Sequence, residues 1–188
     1  MKKHIVVFVI GLFIFQACEH AEKNRTAIKT NKTNILLIKT TKDSASVAWK
    51  RMMLNDDIKF KNMLSLLDHI SYIPGSKEND IKQLKIEIEK TWKTRYDSSQ
   101  MKAQIVDNFD LKTSELIGKI NAIAEKTKGI EKYANVTTLQ QEISEADNTK
   151  LMLDRAHYDK WAKTYNALIT KDHKESLGVQ LPLFETLN

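Results

Sequence analysis

Residues 136–172 read VTTLQQEISEADNTKLMLDRAHYDKWAKTYNALITKD, with no proline and no glycine. Val136, Leu139, Ile143, Ala146, Leu153, Trp161 and Leu168 recur at helical spacing and form one apolar stripe. Leu151, Tyr158, Ala162, Tyr165 and Ile169 form a second stripe, roughly a quarter to half a turn away. A helix apolar over so wide an arc must touch two neighbours. That is the situation of a rod in an antiparallel four-helix bundle.

The rest of the chain supplies three further rods. A first helix is expected from about Asp43 or Ser44 to Tyr72, with Ser44 or Ser46 as cap. Its face is Ala48, Met52, Met63, Leu66, Leu67 and Ile70, with Val47, Leu54, Ile58 and Leu64 beside it. Pro74-Gly75 ends it. Ser76 then caps a second helix, with Glu78 and Asp80 at the positive end of its dipole and a stripe of Ile81, Leu84, Ile88, Trp92 and Tyr96. A third spans about Ser99 to Glu131 on a seam of Met101, Ile105, Phe109, Leu116, Ile120, Ile123 and Ile130. Lys112 and Thr127 interrupt that seam, and Gly118 inside it suggests a close helix contact. Leu181-Pro182-Leu183-Phe184 reads as an extended apolar cap that folds back.

Composition agrees with this reading. The chain has 188 residues, enough for one domain, and is 41% hydrophobic and 29% charged, which permits a packed core. Two prolines and five glycines are too few for a β-sandwich or a glycine-looped nucleotide fold. One cysteine excludes a disulfide framework and a cysteine-based zinc site.

That cysteine, Cys18, stands in a telling place. Lys2 and Lys3 precede an apolar run of eleven residues, Ile5 to Phe15, followed by Gln16, Ala17 and Cys18. A basic start, a short apolar stretch and a small residue form a secretory signal. The run is short for a membrane span, which needs ~20 residues. The arrangement resembles a bacterial lipoprotein signal, in which the thiol takes a diacylglyceryl group and becomes the first mature residue. Phe15 and Gln16 depart from the usual pattern, which leaves an ordinary signal or short anchor with an incidental cysteine as the alternative.

The domain reading is therefore a lipoprotein signal over 1–17, a polar tether over 18–34 rich in Lys, Asn and Thr, and a helical bundle over 35–188. Ile35-Leu36-Leu37-Ile38 opens the folded part, its type unassigned by period alone. Removing residues 1–17 takes two lysines and lowers the net charge from +6 to +4. The lysines read as solvated faces spread along every segment, not as one stripe. Export disfavours nucleic acid; anionic lipid or an acidic partner suits the balance better.

Candidate chemistry is sparse. A di-metal bundle needs two Glu-x-x-His pairs plus further carboxylates. The nearest match is Asp154-Arg155-Ala156-His157, without a second copy, and His157 reads as a core or seam histidine. His69 beside Asp68 and His173 beside Asp172 lack a third ligand at helical spacing. Asp56-Asp57 are neighbours that point about 100° apart on a helix and read as surface charge. Trp49, Trp92 and Trp161, on three different helices, read as core packing. There is no Gly-x-Ser-x-Gly elbow and no phosphate loop. No catalytic residue, cofactor or metal is expected; the alternative is a metal- or small-ligand-binding bundle resting on Asp154, His157 and the tryptophans.

The last helix also resembles the LemA family. Arg155, Tyr158, Tyr165, Asn166, Leu168 and Ile169 match its Arg, Tyr-Asn, Tyr-Asn, Leu-Ile pattern in register, with Asp159 where the first Asn is usual. Leu139-Gln140-x-Glu142-Ile143 is similar to the opening of the same helix, with one extra residue before Leu151. Asn34-x-Leu36 through Val47-Ala48-Trp49 and Phe184-Glu185 are similar to other family segments. An Arg-Arg-x-Asp-Leu-Ile-Pro-Asn-Leu stretch and a Phe-Pro after the last helix are absent. The resemblance implies a divergent, membrane-anchored four-helix bundle of the bacterial cell envelope, facing the exported side. It also implies no enzymatic activity and a scaffold or protein-interaction role linked to membrane organisation. Arg155, Tyr158, Tyr165 and Asn166 would stitch elements together, with buried ring bodies and partnered polar ends.

Overall fold

The computed structural model describes the backbone of residues 3–172 and 181–187, and the side chains of 33–170 and 181–187. Among these, every regular element is helical. The elements are α1 (Lys3–Ser71), α2 (Glu78–Lys93), α3 (Ala103–Lys126), α4 (Ala134–Glu145) and α5 (Leu151–Asp172). Short 3₁₀ turns lie at Ser98–Gln100 and Ile130–Lys132, and a π turn at Ala146–Lys150 joins α4 to α5. The chain divides into two compact units, residues 1–40 and 41–188.

In the first unit, the stretch expected to be a loose tether is helical in backbone, and so is Ile35–Ile38. No proline precedes Pro74, and no glycine lies between Gly11 and Gly75, so nothing local stops the helix. The expected start at Asp43 or Ser44 is thereby corrected, and Ser46 is not a cap: its hydroxyl donates to the carbonyl of Lys42, 3.0 Å away. Cys18 belongs to the part of α1 whose side chains fall outside the described residues.

The second unit is an all-α, antiparallel four-helix bundle whose fourth rod is α4, the π turn and α5. Side-chain bonds give the register of each neighbouring pair. Asp57 meets Trp92 while Asp68 meets Lys85, so α1 and α2 are antiparallel. Glu87 meets Lys119 while Tyr96 meets Phe109, which sets α2 against α3. Asn121 meets Gln140 and Asp110 meets Arg155, setting α3 against the fourth rod. Asn62 meets Glu142, Lys59 meets Asp147 and Asn55 meets Asp154, closing the ring back to α1.

The core holds Met52, Phe60, Met63, Leu66, Leu67 and Ile70 of α1, Ile81, Leu84 and Ile88 of α2, and Val106, Phe109, Leu116 and Ile120 of α3. Several expected core positions move. Val106 replaces Ile105, which is exposed, and Val47, Leu54 and Ile58 of α1 are exposed too. Thr113 takes a core place by donating its hydroxyl to the Phe109 carbonyl at 2.9 Å. Gly118 faces open space, so it marks no close helix contact. Ser76 is not the N-cap of α2; its hydroxyl donates to the carbonyl of Ser71 instead. Pro74-Gly75 does form the first turn, with Gly75 at φ 85°, a left-handed conformation that glycine adopts without a Cβ clash.

The fourth rod corrects the reading of its first stripe. Before the π turn the buried residues are Val136 and Ile143, Ala146 is buried as the turn begins, and after it come Leu151, Asp154, Tyr158, Ala162, Tyr165 and Ile169. Leu153, expected to continue the first stripe, is 52% exposed. A π turn holds one residue more than an α turn and so rotates everything after it. The two stripes are buried in succession, the first ahead of the π turn and the second after it, while the rod as a whole touches both α1 and α3, as its wide apolar arc requires. Deleting Thr149 is therefore expected to convert the π turn to α and keep both faces inward, changing stability in urea unfolding by under ~1.5 kcal/mol. Deleting Lys163 turns Tyr165 and Ile169 about 100° off the core and costs at least ~3 kcal/mol. Equal losses would show that the π turn does not set the register.

Candidate functional site

Two polar constructions lie inside the bundle. The first is a belt of charge across its middle, built on residues that the stripe of α1 would assign to the core. Asp56 and Lys59 fall between Met52 and Met63 at helical spacing, and both are buried, at 0% and 1% exposure. The expectation of surface charge at Asp56-Asp57 is thus corrected: Asp56 points inward, while Asp57, a third of a turn round, is half-buried.

The Lys59 ammonium lies 3.2 Å from Asp56 and 3.0 Å from Asp147 of the π turn. Arg95, just past α2, places its guanidinium 2.6 Å from Asp57 and 3.6 Å from Asp56, and donates to the Met53 carbonyl at 3.1 Å. The Trp92 indole donates to the same Asp57 oxygen at 2.9 Å and stacks on Phe60. Neither oxygen of Asp56 accepts a well-formed hydrogen bond. Burial raises the Asp56 carboxyl above its ordinary 3.8, against the opposing pull of Lys59 and Arg95.

Farther along, Asp154 is 2% exposed, accepts from Asn55 and pairs with Arg51 at 2.9 Å. His157, expected at the core or seam, is exposed. The Asp154/His157 pair therefore does not converge, and no group of three or more potential metal ligands forms among the described residues. His173 lies outside them. Arg155 grips Asp110 of α3 through both terminal nitrogens and reaches the Tyr96 hydroxyl at 3.1 Å. Burial opposes the Arg155 charge, but the bonds to Asp110 and Tyr96 prevail and hold its pKa above the ordinary value. The Tyr96 phenol is pushed up to about 12 by burial.

The second construction is a clasp on the C-terminal segment. Asn166 donates to the Phe184 carbonyl at 2.8 Å and accepts from its N–H at 3.0 Å. Tyr158 donates to the Glu185 carbonyl at 3.0 Å, and Asp159 accepts from the Leu187 N–H at 2.8 Å. The Phe184 ring meets Tyr158 and Tyr165 edge-on. The segment folds back through Phe184 and Leu187, which pack against the core, while Pro182 and Leu183 of the expected apolar cap are exposed. Burial pushes Tyr158 up to about 12, with Asp159 and Glu185 adding to the rise. The Tyr165 hydroxyl, by contrast, is buried without a hydrogen-bond partner among the described residues.

Trp49, Trp92 and Trp161 are half-buried and packed against the core, Trp49 edge-on to Tyr96 and Tyr158. Away from the belt, a groove of about 430 Å³ between α2 and α3 is lined by Leu84, Ile123 and several lysines. Of those lysines, Lys77 pairs with Asp80 and Lys119 with Glu87. Chemically, both constructions spend their polar groups on neighbouring rods or on the tail. No family model, curated protein or solved structure matches the chain.

Two measurements separate these roles. Tyr158→Phe is expected to cost ~1 kcal/mol of unfolding free energy, because it frees a tail carbonyl, whereas Tyr165→Phe stays within ~0.5 kcal/mol of wild type, having no bond to lose. For the belt, the raised Asp56 pKa means the folded state binds that proton more tightly than the unfolded chain. Its stabilising contribution is fully present below 3.8 and is lost as pH rises through the folded value. Asp56→Asn should flatten that fall in a series of urea melts. Lys59→Met should steepen it, costing about 3–5 kcal/mol at neutral pH by stranding a buried carboxylate. A Lys59→Met loss independent of pH would contradict the assignment.

Proposed function

We propose that this chain is a LemA-like, lipid-tethered protein of the bacterial cell envelope that acts as a non-enzymatic scaffold or protein-interaction module linked to membrane organisation. The observation that carries the reading is Cys18, placed directly behind a basic start, an eleven-residue apolar run and Ala17. A thiol there is the acceptor for a diacylglyceryl group, and two or more acyl chains hold a protein at a membrane far more firmly than one.

No helix among the described residues is long and apolar enough to cross a membrane. The pattern Arg155, Tyr158, Tyr165, Asn166 supports the family likeness, and in this chain Arg155, Tyr158 and Asn166 bond to other parts of the same bundle. A protein whose conspicuous polar residues are spent on its own architecture is suited to presenting surfaces. Metabolic labelling with a palmitate analogue tests the anchor: the wild-type chain should take the label and Cys18→Ala should lose it entirely. An unlabelled wild-type protein would refute the tether.

A further inference from the structure

Charge in this chain is partitioned along its length. Residues 23–42 carry six Lys or Arg and no Asp or Glu, whereas residues 43–188 carry 22 of each sign. Residues 43–188 are formally neutral, and the segment before them holds the excess. Read as a loose tether, these cations have no common direction. The backbone of α1 is helical through the whole segment, and that changes their geometry.

At spacings of four, three, four and three, Arg25, Lys29, Lys32, Leu36 and Lys39 occupy one helix face by register. Four of the five are cationic. The fifth, Leu36, is 64% exposed, and its neighbour Ile35 is 46% exposed. A row of cations with protruding apolar groups among them matches an anionic lipid surface: headgroups take the charge and the acyl boundary takes the leucine.

We propose that the Arg25–Lys39 face of α1 lies against anionic lipid headgroups, so that the membrane is held by a basic stripe as well as by Cys18. The inference rests on the membrane-tethered reading for its setting. A single lipid anchor fixes one point; a charged stripe about 21 Å long, 14 residues at 1.5 Å rise, also fixes a direction.

The test uses the full chain with Cys18→Ala, so that no acyl chain forms, added to vesicles of phosphatidylcholine alone or with about one-third phosphatidylglycerol. The apolar leader binds both compositions, so the ratio of the two partition coefficients is the readout. That ratio should be at least about tenfold at ~0.05 M salt and near one at ~0.5 M, where the Debye length is short. Replacing Arg25, Lys29, Lys32 and Lys39 by Gln should abolish it. Replacing four exposed bundle lysines, Lys61, Lys82, Lys93 and Lys112, by Gln should leave it intact. Equal partition onto both vesicles overturns the proposal, as does a preference that survives the stripe variant or vanishes in the bundle variant. Displacement of the vesicles by a DNA duplex would reassign the stripe to nucleic acid. An anionic preference in a chain that takes no palmitate label supports the stripe while refuting the Cys18 anchor.

Discussion

The last rod carries one residue more than a straight α-helix can place on a single inward face, and the π turn at Ala146–Lys150 absorbs it. Much else depends on that accommodation. With uninterrupted α geometry, every residue after the turn would be rotated by about 100°, carrying Leu151, Tyr158, Ala162 and Ile169 off the face that buries Val136 and Ile143. The turn brings Asp147 to Lys59, aims Asp154 at α1 and Arg155 at α3, and leaves the next turn of the helix facing the tail. One local insertion thus aligns three neighbours at once.

The belt of charge has a cost that the apolar core must offset. Taking Asp56, Lys59 and Asp154 out of water is unfavourable by several kcal/mol per ion, and their mutual attraction recovers that only when the partners are in place. Such a belt is therefore better understood through the arrangements it forbids. Apolar stripes tolerate sliding by a turn, about 5.4 Å, because Leu, Met and Ile pack acceptably in several registers. Charges do not. A one-turn slip of α1 against the fourth rod would part Lys59 from Asp147, Asn55 from Asp154 and Asn62 from Glu142 together. Each buried ion left behind would be uncompensated, so the belt penalises the competing registers.

Periodicity made the four rods, the Pro74-Gly75 turn, the α2 stripe and the returning tail legible, because each is written in apolar spacing or in a residue that forbids helix. The belt was not legible, since hydropathy treats Asp and Lys as markers of surface. The signal was present in another form: Asp56 and Lys59 sit three apart, with opposite charge, on the stripe between Met52 and Met63. An internally paired Asp and Lys can occupy a core position that either alone could not. Thr113 escaped notice for a related reason, since its hydroxyl is satisfied by its own helix. The extra residue before Leu151 was visible in the sequence, but its consequence, a change of buried face, belongs to helix geometry and not to residue count. The polar stretch before Asp43 misled in the opposite sense. Its Lys, Asn and Thr suggest a loose chain by composition, yet none of them interrupts a helix as proline would.

The clasp shows why a recognisable helix need not be a site. Asn166 presents a side-chain amide to the backbone of Phe184, donating to its carbonyl and accepting from its N–H, as a neighbouring strand would. That pairing reads a peptide group and is indifferent to the side chain attached. Tyr158 and Asp159 likewise address tail carbonyl and amide groups, and selectivity comes only from the pocket that Tyr158 and Tyr165 form for the Phe184 ring. The polar ends of Tyr158, Asp159 and Asn166 are therefore consumed within the molecule. Val47, Leu54 and Leu153 stand exposed on the outer surface of the rods. A bundle closed by its own tail in this way turns its polar motif residues inward and leaves only the outer faces of its rods uncovered.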